Sequence, residues 1–288
     1  MNIVIKYYLT CIFLCGISLT DALSQEGELS KANRLFDSQQ YFEAAIEYER
    51  IAFNSSDAEM IARAKYGKAL SHRYQNKFSK ALHELNGVFL PTLNNPLRSK
   101  ILYEKALNHY LLDQEQEALW ELNKIKNSHP HTRKVIPLKI LSLNKARKFD
   151  KAYKTLITFL QEEADNDQKM MSLATDIQAL YSKDNLPKAY KEQVARDWSR
   201  FIPGAGQIYS KHPGEGMISL LLNGALIIFG IHQIWNAYYF TGYMAGFGVM
   251  YKTYTGGMTN AANLAKTQTH NEMVTFNQQV ISIIQEIN

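Results

Sequence analysis

At 288 residues, with 46% hydrophobic and 20% charged residues, the chain has ordinary globular composition, which excludes disorder along its whole length. The formal net charge is +5, and Lys, Arg, Asp and Glu are interspersed rather than gathered on one stripe or tail, which argues against a nucleic-acid binder.

The first predicted element is a targeting segment. Met1 to Lys6 is short and positive, Tyr7 to Leu19 is an apolar run, and Ala22-Leu23-Ser24 offers the small–x–small pattern for cleavage before Gln25. The run is short for a membrane span, which needs about 20 apolar residues, and an uncleaved anchor is the other reading. Cys11 and Cys15 both lie inside the segment, each preceded by a residue (Thr10, Leu14) that fits a lipidation signal poorly. Cleavage leaves a chain with no cysteine, hence no disulfide framework, thiol nucleophile or Cys-ligated metal.

From Glu28 to about Leu160 the chain repeats itself. Tyr41-Phe42-Glu43-Ala44 recurs as Phe78-Ser79-Lys80-Ala81, Glu115-Gln116-Glu117-Ala118 and Phe149-Asp150-Lys151-Ala152, with the alanines 37, 37 and 34 residues apart. Four residues after each stands a large side chain, Tyr48, Leu85, Leu122 or Leu156. Twelve residues before the first three stands another alanine (Ala32, Ala69, Ala106), replaced in the fourth by Ile140, where looser packing is expected. These offsets predict pairs of antiparallel helices, with alanine at the closest backbone approach and the large residue on the same face one turn on. One pair cannot bury its apolar face, so the units must stack.

Spacing and residue types resemble the tetratricopeptide repeat (TPR) family, and Pro130 matches that pattern's proline beyond the second helix of the third unit. The longer intervals require longer turns, such as Phe89 to Pro96. The resemblance implies a curved scaffold whose first helices bind a protein or peptide partner. Asn33, Tyr66, Arg73, Tyr103, Asn108 and His109 are the candidates, each more readily read singly as a surface or inter-repeat packing residue. Asp167 to Ser182 and Lys188 to Phe201, the latter after Pro187, read as two further helices, a degenerate fifth unit or a cap.

At Trp198 the composition changes: charge thins out, and glycine and aromatics become frequent. Met217 to Phe240 is long enough as a helix to cross a bilayer's hydrocarbon. A second weakly polar segment, Thr241 to Met258, carries Gly242, Gly246 and Gly248, small residues that let two helices approach closely. Trp235, Tyr238 and Tyr239 suit an interfacial aromatic belt. Asn223, His232, Gln233 and Asn236 are costly in hydrocarbon unless they face a helix or water, so a soluble buried hairpin is the competing reading. Ahead of this segment, Pro203-Gly204-Ala205-Gly206-Gln207-Ile208-Tyr209 resembles the proline–glycine–x–glycine–glutamine–x–tyrosine motif of small two-helix membrane domains, the TM2-like group. Ser210 and Lys211 depart from the glycine usual after the tyrosine. Tyr254 to Ala262 resembles that group's closing segment, with Gly256-Gly257 in place of Gly-Asn. In this reading Pro203 rigidifies the entrance, Gly204 and Gly206 allow positive φ and close approach, and Gln207 and Tyr209 serve exposed backbone at the interface. Met273, Phe276, Val280, Ile283, Ile284 and Ile287 fall at helical spacing and predict a last amphipathic helix over Asn271–Asn288.

The Gly-x-Gly of this motif lacks the further glycine and Lys-Ser/Thr pair of a phosphate loop, and no HExxH, GxSxG or metal-spaced histidine cluster occurs; His129 and His131 flank Pro130 in a turn. The expectation is an all-α, non-enzymatic chain without cofactor or metal. Its parts are a signal peptide (1–24), TPR-like repeats (25–165), capping helices or linker (166–201), a membrane hairpin (202–265) and an amphipathic helix (266–288). The resemblances point to an exported bacterial envelope adaptor, repeats in the periplasm, binding a protein partner and attached to lipid. The alternative is a membrane-active or oligomeric component whose hairpin assembles or remodels lipid under control of the repeats.

Overall fold

A computed structural model describes residues 27–125, 132–163 and 167–287, and among them all regular structure is helical. The expected signal segment and the Pro130 turn lie outside the described residues. Two compact units form, one ending at Phe159 and the other beginning at Leu160.

The first unit holds α1 (27–37), α2 (Tyr41–Asn54), α3 (Ala58–Tyr74), α4 (Phe78–Asn86), α5 (Asn95–Leu111), α6 (Glu115–Asn123), α7 (Thr132–Lys145) and most of α8 (Phe149–Glu163). Consecutive helices from α2 to α7 pack on one another. Every residue of the repeating alanine set is buried: Ala44, Ala81, Ala118 and Ala152, and twelve residues earlier Ala32, Ala69 and Ala106. Ile140, where the alanine is replaced, is also buried, and so are Tyr48, Leu85, Leu122 and Leu156. A side chain such as Leu85, removed from water completely, contributes about 1.5–3 kcal/mol. Where the large residue is Tyr48, the facing position is Gly67, whose added Cβ would come within 2.5 Å of the ring, and the Tyr48 hydroxyl donates to Asn33 Oδ1 at 2.6 Å.

The turns repeat as well. Gln39, Asn76, Asp113 and Arg147, each five residues before a repeat alanine, all have positive φ between 55° and 61°. In each case the next amide (Gln40, Lys77, Gln114, Lys148) donates back to the carbonyl five residues earlier (Leu35, His72, His109, Leu143) at 2.8 to 2.9 Å. This is the Schellman closure, which satisfies helix-end carbonyls through one left-handed residue. Starts are capped too: Asp57 accepts from the amides of Glu59 and Met60, and Asn94 from Leu97, beyond the 3-10 turn Leu90–Thr92 in the long connection.

The second unit contains α9 (Asp167–Leu180), α10 (Glu192–Phe201), α11 (Ala205–Tyr209), α12 (Pro213–Trp235), a single turn α13 (Tyr239–Thr241), a π-helical segment Gly242–Gly248 and α14 (Val249–Ile287). Two expectations change here. The helix expected from Lys188 begins only at Glu192, because the Tyr190 amide donates to Thr269 Oγ1 at 2.8 Å and holds this stretch against α14 outside the helix. The final helix is not separate: α14 runs unbroken for 39 residues, about 58 Å at 1.5 Å per residue. No proline follows Pro213, and the Gly256-Gly257 pair is held within the helix by packing, Gly257 lying against Ser219 and Gln207. The expected amphipathic stripe is the buried face of its last turns: Met273, Phe276, Val280, Ile284 and Ile287.

Candidate functional site

The Pro203–Tyr209 motif lies at the crossing of α10, α11, α12 and α14. Gly204 has φ +95° and lies so close to α12 that an added Cβ would be 2.0 Å from the Gly216 carbonyl oxygen; a Cβ on Gly206 would be 1.9 Å from that of Ala195. A side chain at either position is incompatible with this crossing. The Gly206 amide donates to Ser199 Oγ at 3.0 Å, Ser199 donates to Gln207 Oε1 at 3.0 Å, and Gln207 Nε2 donates to the Gly257 carbonyl at 2.9 Å. This relay ties α10, α11 and α14 through the buried Ser199 and Gln207 to the partly buried Gly257. Gln207 is 1% exposed, so it is an interior tie and not the interfacial side chain expected from the motif. Pro203 is half-buried, and Tyr209 accepts from the Lys191 amide at 3.2 Å with its ring edge-on to Tyr190.

α12 has an inverted surface. Gly216, Asn223 and Gly230, seven residues apart, form its buried line, while Ile218, Leu221, Ile228 and Ile231 are each more than half exposed. Only 11% of its most apolar window is buried, and among the described residues it is the one helix long and apolar enough to cross a membrane. The polar Asn223 is satisfied within the chain: its Nδ2 donates to the Ser219 carbonyl at 2.7 Å and its Oδ1 accepts from Thr253 at 2.9 Å. One helical turn pair further on, Gly230 meets the π-helical segment so closely that a Cβ on Gly246 would be 2.4 Å from Gly230 Cα. Residues 216–251 contain no Asp, Glu, Lys or Arg. At the far end Trp235, Tyr238, Tyr239 and Phe240 are exposed around the turn, with His232 and Asn236 beside them and Ala237 in a left-handed conformation. At the near end Trp198, Phe201 and Ile202 are exposed, and the Tyr254 hydroxyl holds the Arg200 carbonyl at 2.7 Å.

In the first unit the six candidate partner residues separate into three settings. Asn33 and Tyr66 line an open cavity of about 550 Å³ with Arg63, Asn94 and Lys100, although Asn33 also holds Tyr48. Arg73 and Tyr103 belong to a half-buried cluster centred on Glu104, whose carboxylate takes a 2.9 Å bond from Arg73. Burial raises the Glu104 carboxyl above the ordinary range, against the pull of Arg73, and burial likewise raises the Tyr66 and Tyr103 hydroxyls. Asn108 is fully buried with Nδ2 on the Glu104 carbonyl, so it faces no partner, and His109 Nδ1 is bonded to Gln114. Sequence reasoning missed Glu104 itself, a buried carboxylate on α5 to which α3 brings Arg73. Among the described residues no group of three or more His, Cys, Asp or Glu could hold a metal ion. Compared with known proteins, the chain matches no family model, no curated sequence and no solved structure.

Proposed function

We propose that this protein is a non-catalytic envelope adaptor. A TPR-like helical array takes a protein or peptide partner, and a hairpin made by α12 and the π-helical start of the following helix fixes the chain to a membrane. The observation that carries the reading is the inverted surface of α12, with glycine and asparagine inside and isoleucine and leucine outside. In water that exposed apolar face is unfavourable by about 25 cal/mol per Å², whereas in hydrocarbon it needs no cover. In lipid, association depends on close backbone packing and internally satisfied polar groups, and the Gly230–Gly246 contact and the Asn223–Thr253 bond supply both.

Export through the leading segment, with the repeats in the periplasm, is part of the same proposal. Partner binding centres on the cavity that includes Asn33 and Tyr66. The alternative, a hairpin that assembles around a shared polar interior, has less support, because Asn223 already spends its hydrogen bonds within its own chain.

The test is an alkaline carbonate wash of isolated membranes carrying the full chain or a version ending before Trp198. The expected result is that the full chain stays in the pellet and the shortened one is released. Release of both would reject membrane insertion and leave the apolar face of α12 to a protein partner.

A further inference from the structure

On the first unit, away from the Asn33–Tyr66 cavity, α6, α7 and α8 enclose an open groove of about 570 Å³. Its floor is apolar, made of the buried Leu119 and Leu143, with Trp120 at the rim. Its walls carry Lys139, Lys148, Lys151 and Lys154, and among the described residues no Asp or Glu lines it. The neighbouring carboxylates are engaged or turned away. Asp113 and Glu115 pair with Lys145, Glu121 pairs with Lys124, and Glu117 and Asp150 are exposed outside the groove. Lys148 donates to Gln116 at 2.7 Å, while Lys139, Lys151 and Lys154 have no ion-pair partner among the described residues.

Four ammonium groups around one groove repel each other, most of all the half-buried Lys139 and Lys148, while Lys151 and Lys154 stand exposed to water. A bound anion relieves that repulsion. Trp120 is 63% exposed at the rim, which an isolated helix surface does not need.

We propose that this groove binds an acidic, extended polypeptide segment in which Asp or Glu alternates with apolar residues. In an extended chain, side chains alternate between two faces, and those on one face lie about 6.6–6.8 Å apart. Lys151 and Lys154 stand at i, i+3 spacing on α8, with Cβ atoms about 5–6 Å apart, Lys148 lies just before its first residue, and their long stems match a row of carboxylates. The alternate apolar residues then face Leu119, Leu143 and Trp120. The row is spread over two turns of helix and includes no arginine fork, which suits several spaced carboxylates better than one compact phosphate. A single-stranded nucleic acid would want the open Trp120 ring for stacking, but the Lys124 ammonium already sits over that ring. The inference does not depend on membrane attachment, since the groove lies wholly within the first unit.

The test uses the full chain kept soluble in a mild detergent, which needs no membrane insertion, and fluorescence anisotropy of three labelled probes. These are a short peptide of alternating Glu and Val, the same peptide with Gln for Glu, and an oligo-thymidine strand of equal charge. The Glu peptide should bind and weaken steadily with salt, and the Gln peptide should bind at least about tenfold more weakly. The combined variant Lys139→Gln, Lys151→Gln, Lys154→Gln changes wall side chains and should fold normally, which circular dichroism checks. It should lose about tenfold in affinity for the Glu peptide, and Trp120→Ala should weaken binding of the same probe. Equal affinity of the wild type and the lysine variant, or no binding of the Glu peptide, would overturn the proposal. So would tighter binding of the oligo-thymidine strand, which would reassign the groove to nucleic acid.

Discussion

The two units use the same local devices to opposite ends. Both close helix ends with a left-handed residue and a six-to-one amide bond: at Gln39, Asn76, Asp113 and Arg147 in the first, and at Lys211 and Ala237 in the second. Both bring helices together at small residues. Around the alanines of the first unit, leucine and isoleucine turn inward, and most charged side chains stay in water. Along α12 the small and polar residues turn inward and the large apolar ones face out. Small residues therefore mark where backbones meet, while the large apolar side chains flanking them turn inward in one unit and outward along α12 in the other.

The comparison is broken most severely at the glycine contact of the second unit. Gly246→Leu places a side chain where Gly230 Cα stands, and it should destabilise that unit by about 4 kcal/mol or more. Hydrogen exchange read by mass spectrometry should show α12 losing protection while α2–α6 keep theirs; equal loss in both would mean the units do not open separately. The counterpart in the first unit is Leu85→Ala, a fully buried position, expected to cost about 3 kcal/mol in urea unfolding without changing exchange in α12.

Gln207→Leu is next. It removes the donor to the Gly257 carbonyl and strands Ser199, and should cost about 2 kcal/mol, read as a lowered transition temperature of the second unit.

A pH profile sharpens the comparison further. Burial raises the Glu104 carboxyl, so the folded first unit holds a proton that the unfolded chain releases near pH 4.5. Its contribution to stability is fully present below that pH and is lost as pH rises through the raised folded value. Glu104→Gln should flatten this part of the profile; an unchanged slope would show that Arg73 keeps the carboxyl in its ordinary range. The smallest effect is expected at the tip. Ala237→Gly relieves a left-handed alanine and should stabilise the second unit by about 0.5–1 kcal/mol, measured by thermal unfolding.

Much of the first unit was legible in the sequence, because a repeat fixes which positions meet. Every alanine picked by spacing is buried, and so is every large residue four places on. The turns were less legible: Asn76 and Asp113 suit a left-handed cap, but Gln39 and Arg147 do not advertise one, and only their shared offset from the alanines gives them away. In the second unit the motif Pro203–Tyr209 was visible as a motif, while the destination of Gln207 was not. Its partner, Gly257, lies 50 residues away in the chain.

The amino-acid order by itself determined the helical class, the repeat period, the buried alanine line and the uncharged stretch 216–251, because each is set by local spacing and residue type. Only tertiary structure decided that α14 runs through two adjacent glycines, that Asn223 finds Thr253, and that lysines from α7 and α8 surround one groove beside Trp120. These are properties of surfaces that meet across many residues of chain. Their free energies come from desolvation and close packing between elements, and neither exists until the elements are in contact.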